Sequence, residues 1–496
     1  MSDESRILVP GETCWQIAQA ERLACIVDAA DYFRHAKSAM LQARKRIVLI
    51  GWDFDTRIKF EPQGTTLDGP NRLGEFLSWL PRERPDLDIY LLKWNIGAFA
   101  AITRGMTPVF VLNWLTDKRL HFEIDGAHPI GSAHHQKIVV IDDALAFCGG
   151  IDMTVDRWDT GDHRDDNHYR TEPSGNRYGP WHDATTAVDG DAARAIGELA
   201  RARWKSATGQ ELDPVDPLDG DAPWPEGLPP TMRSVQVGIA RTLPELADRT
   251  EVREIEALYL AAIAGATRSL YIESQYLASR TLAEAIAARL REPDGPEIVL
   301  VIPRNADGWL EQQAMDGARR RLLHLLWRAD THNRLGVYYP VTEGDAPIYV
   351  HAKVLVMDDR LLRVGSSNLN NRSMGFDTEC DLAVEVTPET ADAEQLRDTI
   401  LGMRRRLLCE HLDTDTATFD ATLAETSSLL RTVEALRGPG RTLKRFEPET
   451  VEHEDSPLAE NELMDPERTP PSLWDRILPN RDLRRAWSLR AGQSSQ

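Results

Sequence analysis

Cysteine is scarce and odd in number: Cys14, Cys25, Cys148, Cys380 and Cys409. No pair stands in C-x-x-C spacing, so a disulfide framework is not expected and reduced thiols of a cytosolic chain are. Cys148 and Cys380 sit beside or within apolar runs and are expected to be small core residues. Long apolar runs are also missing. A membrane-spanning helix needs about 18 or more consecutive apolar residues, and the nearest candidate, Phe99–Leu115, is broken by Arg104 and Pro108. Any contact with a bilayer is therefore expected to be peripheral. Met1–Arg6 lacks a basic stretch followed by an apolar one, so no signal peptide is expected. Positive charge is in deficit, with a net charge of −21. That weighs against a general nucleic-acid binder, whose phosphate track needs clustered Lys and Arg, but an acidic shell can still enclose a basic pocket.

What remains is an ordinary globular composition, 42% hydrophobic and 28% charged over 496 residues, with room for several domains. Within it one pattern occurs twice. His135-Gln136-Lys137 is followed by Ile138, Val139, Val140, Ile141 and Asp142; His351-Ala352-Lys353 is followed by Val354, Leu355, Val356, Met357 and Asp358. Each copy reads His-x-Lys-x4-Asp. Seven positions past each Asp comes a Gly, a small residue and then Asp or Asn: Gly149-Gly150-Ile151-Asp152 and Gly365-Ser366-Ser367-Asn368. One copy is weak; two in a common register point to an internal duplication.

The duplication extends along the chain. Arg46–Trp52 aligns with Arg268–Ser274, Leu87–Leu92 with Pro296–Val301, Leu120–Glu123 with Leu335–Tyr338, and Asp183–Val188 with Glu379–Val384. These β-rich apolar runs alternate with helical periodicity at Ala29–Ala43, Asp191–Trp204, Ile255–Ala266 and Ala391–His411. The pattern predicts an α/β protein of two pseudo-symmetric repeats, each a mixed β-sheet sandwiched by helices, with the active site at their interface. Residues 1–40 read as an N-terminal lead, 41–212 as the first repeat, and 213–231 as a Pro- and acid-rich linker with six prolines in Asp213–Pro230. Residues 232–437 read as the second repeat and 438–496 as a polar tail. Within the tail, Leu473–Leu478 is expected to pack on the domain.

Two His-Lys pairs suit phosphodiester cleavage. Lys137 and Lys353 can hold non-bridging oxygens and offset the charge that grows on them. Residues i and i+2 of a strand face the same side, so each Lys shares a pocket with its His. One imidazole attacks phosphorus; the other protonates the leaving alcohol and then activates the incoming water or alcohol. An unperturbed imidazole titrates near ~6.5, so a neutral nucleophile and a charged acid can coexist near neutrality. Two in-line displacements give net retention at phosphorus. Asn368 and Asn370 are candidate amide donors to the phosphate, with Asp152 the first-half counterpart of Asn368. Ser366 and Gly150 are expected to open space beside it. Asp142 and Asp358 end their strands, and a turn-capping role is expected for them. His134, on the opposite strand face, is expected to be structural. This chemistry needs no metal and no cofactor; the run Asp162–His168 could ligate a divalent metal, but a solvated loop near the active site is expected there. Arg319-Arg320-Arg321 and Arg404-Arg405-Arg406 read as solvated helix faces. Of Trp52, Trp94, Trp158 and Trp181, half or more are expected in the core.

The chain resembles the phospholipase D superfamily with two HKD motifs, closest to the branch of phosphatidylcholine-hydrolysing phospholipases D and their bacterial relatives. The stretches that carry the likeness are Gly149–Thr154, Arg157–Thr160 with His163, Pro180–Asp183, Tyr271–Tyr276, Ile348–His351, and Gly365–Asn368 with Asn371–Ser373. The resemblance implies a carboxylate that orients each histidine: Glu379, 28 residues beyond His351, and by the overlay Asp183 in the first half. It implies His135 as nucleophile and His351 as acid/base, and the pseudo-symmetry leaves the reverse assignment open. It implies a phospholipid substrate, cleaved to phosphatidic acid and free headgroup or transferred to an alcohol, by a cytoplasmic monomer in peripheral contact with membrane and with no nucleic-acid partner. A phosphatidyltransferase of the cardiolipin synthase type, a nuclease and a catalytically dead scaffold are the competing functions. The missing membrane spans, the net charge and the intact His-Lys pairs weigh against them in turn.

Overall fold

A computed structural model describes residues 6–94, 114, 116–217, 220, 222–246, 249–306, 315–451 and 465. The first half supplies β1 (Gln16–Val27), β2 (Arg46–Gly51), β3 (Asp88–Trp94), β4 (Leu120–Asp125), β5 (Ile138–Ile141), β6 (Leu145–Gly149), β7 (Trp181–His182) and β8 (Ala184–Asp189). The second supplies β9 (Met232–Leu243), β10 (Val252–Arg253), β11 (Ser269–Glu273), β12 (Glu297–Val301), β13 (Leu335–Val341) and β14 (Tyr349–Val350). It continues with β15 (Val354–Met357), β16 (Leu361–Gly365), β17 (Glu379–Glu385) and β18 (Thr442–Arg445).

The expected α/β architecture is present, with one difference in how the halves join. Instead of one sheet per half, a continuous sheet runs through both, ordered β18-β13-β12-β11-β15-β16-β17-β9-β1-β8-β6-β5-β2-β3-β4; β10 pairs with β9 off this path, and β7 and β14 form a small sheet of their own. The order of one half mirrors that of the other about the antiparallel β1·β9 seam, where Gln16 faces Ile239 and Leu23 faces Met232. Residues 1–40, set apart as a lead, provide β1 at the centre of the sheet. β2, β3 and β4 run parallel, as do β11, β12 and β13. Parallel neighbours need crossovers, and the helices Leu73–Glu83 and Arg280–Arg291 supply one in each half.

Helices cover both faces. Gly190–Thr208 and Ala393–His411 pack a shared apolar layer on one side, through Ile196, Trp204, Ile400 and Leu407. The opposite side carries Ala29–Met40 and Leu73–Glu83 on the first half and Glu254–Gly265, Arg280–Arg291 and Gly317–Ala329 on the second. The motif strands β5 and β15 are buried along their whole length, which is why they read as continuous apolar runs without alternation. All five cysteines are buried and unpaired. Each Arg triplet departs from the expected solvated face by turning one member inward: Arg319 and Arg404 are buried, and Arg404 Nη1 donates to Ser269 Oγ at 2.7 Å. The tail segment Leu473–Leu478 lies outside the described residues. No helix among the described residues is long and apolar enough to cross a membrane.

Candidate active site

The two histidine motifs begin where one half meets the other. His135 N donates to Thr378 O (3.0 Å) and Thr378 N to Ala133 O (3.0 Å), so the chain before β5 is laced to the chain before β17. The second crossing repeats the first: Tyr349 N donates to Pro180 O (2.9 Å) and His351 N to His182 O (2.8 Å), pairing β14 with β7 in parallel. The carboxylates are exchanged as a result. His135 Nδ1 lies 3.0 Å from both oxygens of Glu379, and His351 Nδ1 lies 2.6 Å from Asp183 Oδ2. Each imidazole is oriented by an acid from the opposite half, and among the described residues neither Nε2 is hydrogen-bonded.

The lysines are fixed alongside. Lys137 Nζ donates to His135 O (3.0 Å) and pairs with Asp152 Oδ2 at 3.1 Å. Lys353 Nζ donates to His351 O and to Gln275 Oε1 (3.3 Å), which also accepts from Asn368 Nδ2 at 3.4 Å. Gln275 in turn donates to the hydroxyls of Tyr276 and Tyr349. It stands in the Tyr271–Tyr276 stretch but was given no role from sequence, because a lone Gln after a strand carries no distinctive chemistry.

Several expected substrate contacts are occupied by protein groups. Asp152 serves Lys137 and accepts from Trp52 N (3.0 Å). Ser366, expected to open space, instead donates to Glu379 Oε2 at 2.5 Å, and Ser373 donates to Glu379 Oε1 at 2.6 Å. Asn370 Oδ1 accepts from Ser373 N (3.1 Å) and so positions that serine. Gly150 does make room, though for protein: a Cβ there would lie 2.3 Å from Asp183 Oδ1. Asp142 accepts from the backbone N–H groups of Arg44, Lys45 and Arg46, and Asp358 from those of Thr267, Arg268 and Ser269. Both have positive φ, 54° and 52°, at the turn that ends the motif strand. His134 is buried between Asp125 and Thr378. Trp158 and Trp181 are buried; Trp181 stacks on Tyr349 with ring centroids 4.5 Å apart, and lies 5.3 Å from His351.

Burial and like charge set the electrostatics. Burial holds His135 well below its ordinary value, reinforced by Lys137 and Lys353. His351 is held down by burial, then by Lys353, Arg157, Lys137 and His135. The lysines thus add to burial in disfavouring the protonated form of both rings. Burial lowers Lys353 to about 7 against the pull of Asp183. It raises Glu379 to about 7 against Lys137 and the two serine hydroxyls.

The loop expected to be solvated divides in two. Arg164 and Asp166 are exposed, but His163 turns inward and is 1% exposed. There it joins a buried run of alternating carboxylates and imidazoles behind the site: Asp159, His163, Glu410, His182, Glu273 and His411.

A family model described as "Cardiolipin synthase, PLD-like domain" matches residues 259–400. Phospholipase D A of Dictyostelium discoideum is 24% identical over 457 residues, covering 78% of this chain and 35% of the relative. Phospholipase D alpha 1 of Nicotiana tabacum is 27% identical over 396 residues, covering 56% and 49%. The chain thus spans a third to a half of the length of these relatives. The crystal structure of a phosphatidylserine synthase from Haemophilus influenzae Rd KW20 superposes with a TM-score of 0.54 at 15% identity, over 79% of this chain and 87% of that one. That is a likeness of fold.

Proposed function

This chain belongs to the phospholipase D superfamily, and from that premise we propose that it cleaves the headgroup phosphodiester of glycerophospholipids through a phosphohistidine on His135. The observation that carries the proposal is the crossed pairing of His135 with Glu379 and His351 with Asp183, which leaves both Nε2 atoms without a hydrogen bond among the described residues.

The phosphate enters between Lys137 and Lys353, and its negative charge offsets the positive charges that suppress protonation of the rings. His351 can then carry a proton in the bound complex. His135 Nε2 attacks phosphorus while Glu379 holds its Nδ1–H. The bond from phosphorus to the headgroup oxygen breaks, and His351 delivers its proton to that oxygen. The neutral His351 next takes a proton from water, whose oxygen attacks phosphorus. The P–N bond breaks, releasing phosphatidic acid and His135. An alcohol in place of water gives transfer, and the family model's description keeps a phosphatidyltransferase as the second reading. Ile130, 96% exposed and five positions before His135, offers an apolar contact to a lipid surface.

Mixed phospholipid vesicles incubated with the protein, with and without ethanol, test this by mass. Phosphatidic acid and phosphatidylethanol support the proposal; cardiolipin alone selects the transferase; nicking of plasmid DNA without lipid turnover selects a nuclease. His135→Asn and His351→Asn each lose several orders of magnitude in turnover. With a phosphatidyl ester of p-nitrophenol, which leaves without a proton, His351→Asn accumulates a covalent adduct and His135→Asn does not. The opposite pattern reverses the roles, and near-normal turnover in either variant refutes the pair.

A further inference from the structure

We propose that Asp28, His163, His182 and Glu410 bind one divalent transition-metal ion, zinc foremost, which fastens the two halves together behind the His351–Asp183 pair.

The geometry is that of a coordination shell. One ligand atom from each residue lies within 4.8 Å of every other. The edges are 2.8 Å from His182 Nδ1 to Glu410 Oε1 and 3.4 Å from His163 Nε2 to the same oxygen. His182 Nδ1 stands 3.5 Å from Asp28 Oδ1, and His163 Nε2 stands 3.8 Å from Asp28 Oδ2. Bonds of about 2.1 Å in a tetrahedron place neighbouring ligands about 3.4 Å apart. Two imidazole nitrogens with two carboxylates is a donor set suited to zinc and its neighbours in the first transition row.

The second coordination layer is already built. His163 Nδ1 lies 3.0 Å from Asp159 Oδ2, and His182 Nε2 lies 3.0 Å from Glu273 Oε2. A proton on each of those nitrogens leaves the other nitrogen with a lone pair directed at Asp28 and Glu410. Carboxylate–histidine pairs of this kind fix the ring and raise its basicity toward a metal. Without a cation or an added proton, lone pairs would face acceptor oxygens. Independently, Asp28 Oδ2 has no hydrogen-bond partner although Asp28 is 3% exposed. Glu410 retains 13% side-chain exposure, which gives an ion a way in.

Asp28, His163 and His182 come from the first half, and Glu410 lies on the second-half helix Ala393–His411. Asp28 also accepts from Asp183 N through Oδ1 (3.3 Å), and His182 is the chain neighbour of Asp183. An ion here would fix the segment that aims Asp183 at His351. It takes no part in bond breaking.

Full-length protein from zinc-supplemented cells, purified without chelator, is analysed for metal by mass spectrometry. One equivalent per chain is expected. Chelation should lower Tm, and added Zn²⁺ should restore it; Co²⁺ added to the chelated protein should show the visible d–d bands of a histidine/carboxylate site. Glu410→Gln should lose the equivalent and the Co²⁺ bands. Metal-poor protein whose Tm and spectrum ignore added Zn²⁺ and Co²⁺ overturns the proposal, leaving a protonated imidazole–carboxylate network. So does a Glu410→Gln protein that keeps its full equivalent.

Discussion

Asp183 Oδ2 lies 2.6 Å from His351 Nδ1, although the two residues are 168 positions apart in the chain. The carboxylate is fully buried and its pKa is raised by that burial, with Lys353 and the Ala184 N–H opposing the rise. Asp183→Asn keeps the shape but removes the negative charge and, with the amide oxygen held by Ala184 N, turns a donor toward His351 Nδ1. By analogy with amide replacement of the acid in a serine-protease triad, kcat for phosphatidic acid release should fall by about 10³ to 10⁴, with an unchanged Tm.

The two small residues flanking the carboxylates should behave differently. Gly150→Ala places a methyl against Asp183 Oδ1 and should cost kcat through displacement of His351. Ser366→Ala removes a donor that lowers the pKa of Glu379, so that pKa should rise further. The acid limb of the pH–rate profile then moves to higher pH, and a limb that stays put would remove Ser366 from this role.

For kcat/KM, which reports the free protein, a narrow bell centred near neutrality is expected. Glu379 must be ionised to hold His135, so activity is lost as pH falls through about 7. Lys353 must be charged to hold phosphate, so activity is lost as pH rises through about 7. In kcat the alkaline limb should lie higher, because bound phosphate favours the ammonium form. Coincident limbs in kcat and kcat/KM would contradict this.

Asp358 accepts three backbone N–H groups and the Thr267 hydroxyl. Asp358→Ala orphans them and should destabilise the fold by about 3 kcal/mol. The activity of the molecules that remain folded should be preserved. Thermal melts and active-site-normalised rates separate the two effects.

Ile130→Glu should reduce turnover of vesicle phospholipid and leave a soluble short-chain substrate unaffected. Equal loss on both would place Ile130 in the fold instead of at a lipid surface.

The duplicated motif suggested the chemistry because His, Lys and Asp at fixed spacing on a strand have few other uses; the family resemblance pointed to Glu379, and the overlay then to Asp183. The crossing of these acids was not legible, since it depends on Thr378 pairing with Ala133 and His135, and on Tyr349 pairing with Pro180. The central seam was hidden for a different reason. Gln16–Val27 mixes Gln, Glu and Arg with apolar residues and is half-exposed along its first part, so neither strict alternation nor a continuous apolar run marks it. His163 stood in a run of charged residues, and only the third dimension turned it away from solvent.

The exchange of acids between halves bears on the protein during its own synthesis. A nascent chain that has left the ribosome only as far as residue 350 holds His135 without Glu379 and Asp183 without His351. In such a fragment His135, the one motif histidine present, lacks its orienting acid. Both crossed pairs are complete only once Glu379, in the last third of the polypeptide, has been made.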